Sequence, residues 1–512
     1  MSDCRVDRAH AIVRRVNLRR STFTVRMRLA CVLAVAAALA LPAAAGAQSA
    51  DSCAPTDLAC FDALPANTLW RQAIRLPEVP NKYQGSTVTV AVLDTGITPS
   101  DDFLESFGNR ILARVDLTAE HDGIDHYGHG THMAGLVAGN GNASGGAFEG
   151  AGPEANVVSV KVAGWDGATD VSTVIAGLQW VVANRQRFGI RVVNLSFGTD
   201  SIQPADVDPL NDAVERAWRA GILVVVSAGN AGSLAGTVTK PGDDPYVVTV
   251  GAADLRGTTD PADDEVASFS SRGGGKPDLV APGIALVSQR APGSTVDVFR
   301  AAARVGAAYF KGTGTSQAAA VVSGVAARMF DANPTLTPDQ AKAVLVATAN
   351  PALAGQPGAG AGLLDAAAAV AAVAQQRIGD VRAYPMLPSA NAGLVSSTGL
   401  GSLQASRGSQ QIVADLDGDG VAEPVQGEVD VLGQPWDPAT AAAGWSADGF
   451  AASAWAPRVA EPAGAAPAPA WSGPSTSVMA WEAKYWGASG WLTALWDAKY
   501  WGAKYWGAST WE

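Results

Sequence analysis

The chain has 512 residues, 48% of them apolar, enough to bury a large core. Its formal net charge of −12 argues against nucleic acid as a partner, because phosphate backbones are held by clustered Lys and Arg. The charge balance does not by itself choose a function.

Basic residues cluster ahead of Met27, among them Arg14, Arg15, Arg19 and Arg20. Arg28 leads into an Ala- and Leu-rich run that ends in Ala45-Gly46-Ala47. A basic start, a short apolar centre and a small-residue end form the layout of a secretory signal. Residues 1–47 are assigned to it, with Met27 as an alternative start, and 48–65 to a short leader. The competing reading is a membrane anchor. Pro42 breaks the apolar run and small residues follow it, so export is favoured. No later stretch is long and apolar enough to span a bilayer, so no transmembrane anchor is expected in the mature chain. Cys4 and Cys31 leave with the signal. Cys53 and Cys60 stay, and are expected to pair in an oxidising compartment; two free thiols are the alternative.

Residues 66–375 read as one α/β domain. Strands are predicted at 87–93, 156–162, 190–197, 221–228 and 245–252, each β-branched and apolar on both faces, as a covered parallel sheet requires. Amphipathic stretches at 170–188 and 206–220 alternate with them. The alternation predicts a doubly wound, mostly parallel central sheet flanked by helices. From 376 the composition shifts to Pro, Ala, Gly, Ser and Trp, and a low-complexity or β-rich extension is expected to the end of the chain.

Four positions carry chemistry. Asp94 closes the strand VTVAVLD, and carboxyl ends of strands are where α/β sheets place their sites. His129 and His132 lie three apart in GHGTHMAG. No Glu stands beside the first His, as a zinc-binding helix would have it, so His129 reads as a general base and His132 as a packing residue. Ser316 follows Gly-Thr at the start of an Ala-rich helix, where free N–H groups suit a nucleophile and a developing oxyanion. Asn230 ends VVVSAGN and offers an amide donor. Alone, each has a plain alternative: a helix-capping Asp, a structural His, a capping Ser, a turn Asn. Together they supply acid, base, nucleophile and oxyanion donor.

VAVLDTGI, HGTHMAG, VVNLSFG, SAGN, FSSRG, APG and GTS stand in an order and spacing that resemble subtilisin-like serine peptidases, over residues 66–372. The resemblance implies a secreted endopeptidase acting on protein or peptide substrates through an acyl-enzyme. Asp94, His129 and Ser316 are then the catalytic residues and Asn230 the oxyanion donor. The backbone of Ser196, Phe197 and Gly198 is implied to bind substrate as an extended strand. No cofactor is needed for that chemistry. A catalytically silent binding or adhesion protein on the same fold is the alternative.

The chain departs from the family pattern in several places. The leader is too short for a folded pro-domain. Ala320 stands where Pro is usual, and Gln317 where Met commonly follows the nucleophile. The family's calcium pattern is hard to trace, although Asp101, Asp102 and Asn142 are suitably placed. The segment TKPGDDP (239–245) resembles a wall of the primary specificity pocket, and Thr239, at a position often held by Gly, is expected to narrow it.

In the extension, Asp415, Asp417 and Asp419 form DLDGDG, which reads equally as a structural calcium turn or an acidic surface turn. Trp recurs every fifth residue from Trp481 to Trp511, similar to the tails of some secreted bacterial relatives. Exposed rings would contact cell-wall polysaccharide; rings buried in a small β-structure, or a tail ordered only on a partner, are the other readings.

Overall fold

The structure is a computed structural model. It describes residues 65–458 apart from 106–107, 233, 235, 376–388, 410 and 418, together with a two-residue strand, Trp496–Asp497, whose backbone pairs with Gly312–Thr313. The signal, the Cys53–Cys60 pairing and the remaining Trp repeats lie outside the described residues.

Seven parallel strands make the central sheet. In chain order they are β1 (Thr89–Asp94), β2 (Ile111–Asp116), β3 (Asn156–Lys161), β4 (Ile190–Leu195), β5 (Leu223–Ser227), β6 (Val248–Asp254) and β7 (Leu279–Pro282). Their spatial order is β7-β6-β5-β4-β1-β3-β2. β1 is therefore interior, and the order reverses beside it, where open α/β sheets form a crevice at their carboxyl edge. The strands predicted from sequence are β1, β3, β4, β5 and β6. Two were not predicted. β2 is an outer strand with exposed and half-buried positions, so it lacks a continuous apolar run, and β7 has only four residues and ends in Pro.

Helices follow the strands. They are α1 (Pro65–Ala73), α2 (His129–Ala138), α3 (Val171–Phe188), α4 (Pro209–Arg219), α5 (Thr315–Ala332), α6 (Pro338–Thr348) and α7 (Ala366–Ala374). Asp170 caps α3 by accepting from Ser172 N, and Asp208 caps α4 ahead of Pro209. Every residue of α5 is buried, which its Ala, Gly, Val and Ser composition allows. α5 packs against α2 and across β4, β5, β6 and β7, while α3 and α4 pack together. An antiparallel pair, β8 (Leu286–Gln289) with β9 (Tyr309–Thr313), delivers the chain to α5.

The composition break at 376 does not end the core. Residues 389–458 fold back over α3 and α4 through α8 (Leu403–Arg407), a short hairpin of β10 (Val413–Ala414) and β11 (Glu423–Pro424), and α9 (Ala447–Ala451). Leu403, Val425, Phe450 and Trp455 join the main apolar cluster. Among the described residues no helix is long and apolar enough to cross a membrane.

One buried carboxyl sets a pH dependence. Asp244 accepts from Tyr246 N at 2.8 Å, and its Oδ2 has no hydrogen-bond partner among the described residues. Burial first, and then the charge of Glu215, push its pKa up from 3.8 to about 7. The folded state thus holds this proton more tightly than the unfolded chain. The stability it contributes is present below about pH 4 and lost as pH rises through about 7. Asp244→Asn should therefore stabilise the protein by about 1–3 kcal/mol at pH 8 and hardly at all at pH 4. Urea unfolding at the two pH values checks it; equal effects at both would contradict the assignment.

Candidate active site

Asp94 ends β1 and His129 opens α2; both are buried. The first turn of α2 presses on the strand end. A Cβ at Gly130 would lie 2.2 Å from Gly96 O and 3.1 Å from Asp94 Cβ, so only glycine permits this approach. His129 Nδ1 consequently stands 2.7 and 2.8 Å from the two carboxylate oxygens of Asp94. Asp94 Oδ1 also accepts from Thr95 N at 2.8 Å. The pairing fixes the ring and directs Nε2 to the opposite side.

Asp125, which sequence reasoning missed, builds the loop that delivers His129. Its Oδ1 accepts from Thr95 Oγ1, Tyr127 N and Gly128 N, and its Oδ2 from Thr131 N and Thr131 Oγ1, at 2.6–3.1 Å. The available signal was an Asp four residues ahead of the histidine. His132 is fully buried. Burial, and next the nearby His129, hold it well below the usual imidazole range, so it is neutral and packs inside the fold.

Ser316 lies in the first turn of α5. The loop ending β5 is stitched to that turn: Asn230 Oδ1 accepts from Thr315 N and Thr315 Oγ1, both at 3.0 Å, and Gly229 N donates to Thr315 Oγ1 at 3.2 Å. With its carboxamide oxygen engaged by Thr315, Asn230 has its Nδ2 as donor beside the helix start. The segment after β4 is stitched to the same turn. Ser196 Oγ donates to Ser316 O at 3.3 Å, Asn194 Nδ2 donates to Ser196 Oγ at 3.1 Å, and Ser323 Oγ donates to Asn194 Oδ1 at 2.9 Å. Sequence reasoning missed Asn194 and Thr315 as well. A lone Asn within the apolar run VVNLSF was the legible hint, since a buried amide must find partners.

Ser196, Phe197 and Gly198 run on from β4 at the carboxyl edge of the sheet, across from Gly229 and Asn230. Thr239 fills the space between the two segments. A Cβ at Gly198 would lie 2.2 Å from Thr239 Oγ1, and one at Gly229 would lie 2.9 Å from Thr239 Cγ2.

The metal candidates behave differently from one another. Asp102 is buried and already accepts from Ala143 N, Tyr309 OH and Gln289 Nε2. Asn142 Nδ2 donates to Leu104 O at 3.0 Å. Donor hydrogens thus occupy the carboxylate of Asp102. Glu120, Asp122 and His126 also converge, but Lys161 Nζ sits 3.0 Å from Glu120 and His126 pairs with Asp122 at 2.7 Å. Asp415, Asp417 and Asp419 bring carboxylate oxygens within 4.8 Å of one another on an exposed turn between β10 and β11; each also accepts one backbone N–H of the turn, and the all-oxygen set is of the kind calcium takes.

Residues 85–380 match the family model of the Subtilase family. The chain is 42% identical over 272 residues to the serine protease AprX of Bacillus subtilis, covering 51% of this chain and 61% of that protein. It is 36% identical over 262 residues to subtilisin Savinase of Lederbergia lenta (51% of this chain, 83% of that protein). It is 32% identical over 269 residues to subtilisin DY of Bacillus licheniformis, covering 52% and 85% respectively. The chain thus spans about three fifths of the length of AprX.

Gln317, beside Ser316, is fully buried, and neither end of its carboxamide has a hydrogen-bond partner among the described residues. Such a group costs about 1–3 kcal/mol. Gln317→Met should therefore raise stability by about 1 kcal/mol while adding a thioether that peroxide oxidises next to Ser316. Residual activity after graded peroxide, with mass spectrometry to locate added oxygen, should show the variant inactivated and the wild type spared. Rapid loss of wild-type activity without oxidation elsewhere in the domain would contradict it.

Proposed function

The chain belongs to the subtilase family, and on that premise we propose that it is a secreted serine endopeptidase whose acyl-enzyme forms on Ser316. The observation that carries the proposal is the buried Asp94–His129 pair, at 2.7 and 2.8 Å, on the sheet edge where Ser316 and Asn230 also stand. Ser316 Oγ attacks the scissile carbonyl while His129 Nε2 takes its proton. Asp94 holds the ring through Nδ1 and stabilises the imidazolium. Ser316 N and Asn230 Nδ2 donate to the tetrahedral oxyanion. His129 then protonates the leaving amine, and water attacks the acyl-enzyme by the reverse path. Substrate lies extended along Ser196–Gly198, the segment that runs on from the carboxyl end of β4. The side chain preceding the cleaved bond is small, because Thr239 takes up the room between Gly198 and Gly229.

The signal layout of residues 1–47 supports export. A structural calcium at Asp415, Asp417 and Asp419 belongs to the same proposal; calorimetric titration with calcium, wild type against Asp417→Asn, tests it. The Trp-rich end is proposed to contact polysaccharide, on the stacking capacity of its rings; pull-down on cell-wall glycan by the full chain and by a chain ending at 480 tests that.

A fluorophosphonate probe should label the wild type and fail to label Ser316→Ala. Asn230→Ala should fold normally and lose roughly 10²–10³ in turnover, the size of losing such a donor in subtilisin. Absence of labelling in the wild type as well would favour the silent binding protein instead.

A further inference from the structure

The C-terminal segment crosses the edge of the sheet that carries the site. α3 and α4 follow β3 and β4, so their N-termini lie at the carboxyl edge of the sheet, and α8 is fastened to both. Arg407, 1% exposed, sets Nε 2.6 Å from Asp170 Oδ2, on the residue that caps α3. Its NH1 also donates to Gly427 O at 2.7 Å. Ser406 Oγ donates to Asp208 Oδ1 at 2.8 Å, on the residue that caps α4.

From there the segment reaches the chain that leaves Gly198. Thr199 Oγ1 donates to Ser406 O at 2.8 Å. Ser409 N donates to Asp200 Oδ1 at 2.7 Å, and Ser409 Oγ donates to Asp200 Oδ2. On its other side Thr199 exchanges two backbone bonds with Lys240, Thr199 N to Lys240 O and Lys240 N to Thr199 O, each 2.9 Å. Thr199–Asp200 is therefore held between the C-terminal segment and the stretch that carries Thr239. Both walls around Gly198 depend on where that link sits.

We propose that α8 and Ser409 form a positioning strap that sets the place of the substrate-binding segment 196–198, so that Asp200 and Ser409 act as positioning residues for extended peptide. The proposal rests on the peptidase reading above. The strap's own anchorage is elsewhere: Arg407 is buried against Asp170, and Leu403 and Val425 are in the core. The Asp200–Ser409 contact lies at the rim, where such pairs add little to global stability. Its loss should move binding more than it moves unfolding.

Two measurements on the full mature chain test this. In the Ser316→Ala background, fluorescence anisotropy with a fluorescein-labelled hexapeptide bearing Ala before the cleaved bond reads binding without chemistry. Adding Asp200→Ala should raise its Kd about 3–10-fold, and adding Ser409→Ala to that should raise it no further. In the active protein, Asp200→Ala should raise KM for the same peptide by a similar factor, leave kcat within about twofold, and leave turnover of a single-residue ester unchanged. Thr199→Val, which removes the buried bond to Ser406 O, should act in the same direction. Unchanged Kd and KM with only a lowered melting temperature would overturn the strap. A shifted Kd in a protein whose wild type shows no turnover would overturn the peptidase reading and leave the strap standing.

Discussion

Everything at the site depends on how closely α2 approaches the end of β1. Gly130 sits where any side chain would run into Gly96 O, and this contact brings a helix start and a strand end within one hydrogen bond of each other. The Asp94–His129 pair follows from it. Asp94 is then confined by Thr95 N and His129 Nδ1, and the loop before His129 is tied down by Asp125. A buried carboxylate is costly unless its oxygens are occupied, and here both Asp94 and Asp125 have theirs occupied by donors that also define the loop. The polar network thus shapes the backbone and orients the His129 ring at once.

The turn that carries Ser316 is placed by a second convergence. Helix α5 is buried on all sides, so its first turn is set by the sheet beneath it and not by solvent. Thr315 and Asn230 lock that turn to the end of β5, and Ser196 and Asn194 lock it to β4. Neighbouring strands therefore lead to Asn230 and to the proposed substrate-binding edge, and one helix start joins them. Preorganisation of this kind lets donors face a developing charge without rearranging.

Much of this was legible in sequence because small-residue motifs announce close approaches. The Gly and Thr around His129 and Ser316 cannot serve an ordinary amphipathic helix, and they led directly to the four chemical positions. The five strands buried on both faces were legible as β-branched runs. What stayed hidden depends on partners distant in sequence. β2 and β7 read poorly because edge position and Pro dilute their apolar pattern. Asp125, Asn194 and Thr315 are ordinary polar residues until their neighbours are known. The C-terminal segment was the largest omission. Its composition suggested a separate extension, yet a buried Arg407–Asp170 pair and scattered apolar residues seat it on α3 and α4. Few apolar residues with no regular period give no local sign of burial.

The most direct test of the account is the turnover of Gly130→Ala, measured alongside its circular dichroism. A methyl group there must push α2 away from β1, because the opposing atom is backbone. Displacing His129 by even about 1 Å from Asp94 should cost on the order of 10²-fold in kcat while the sheet remains folded. A folded Gly130→Ala protein with wild-type kcat would contradict the claim that this contact positions His129 as the proposed base.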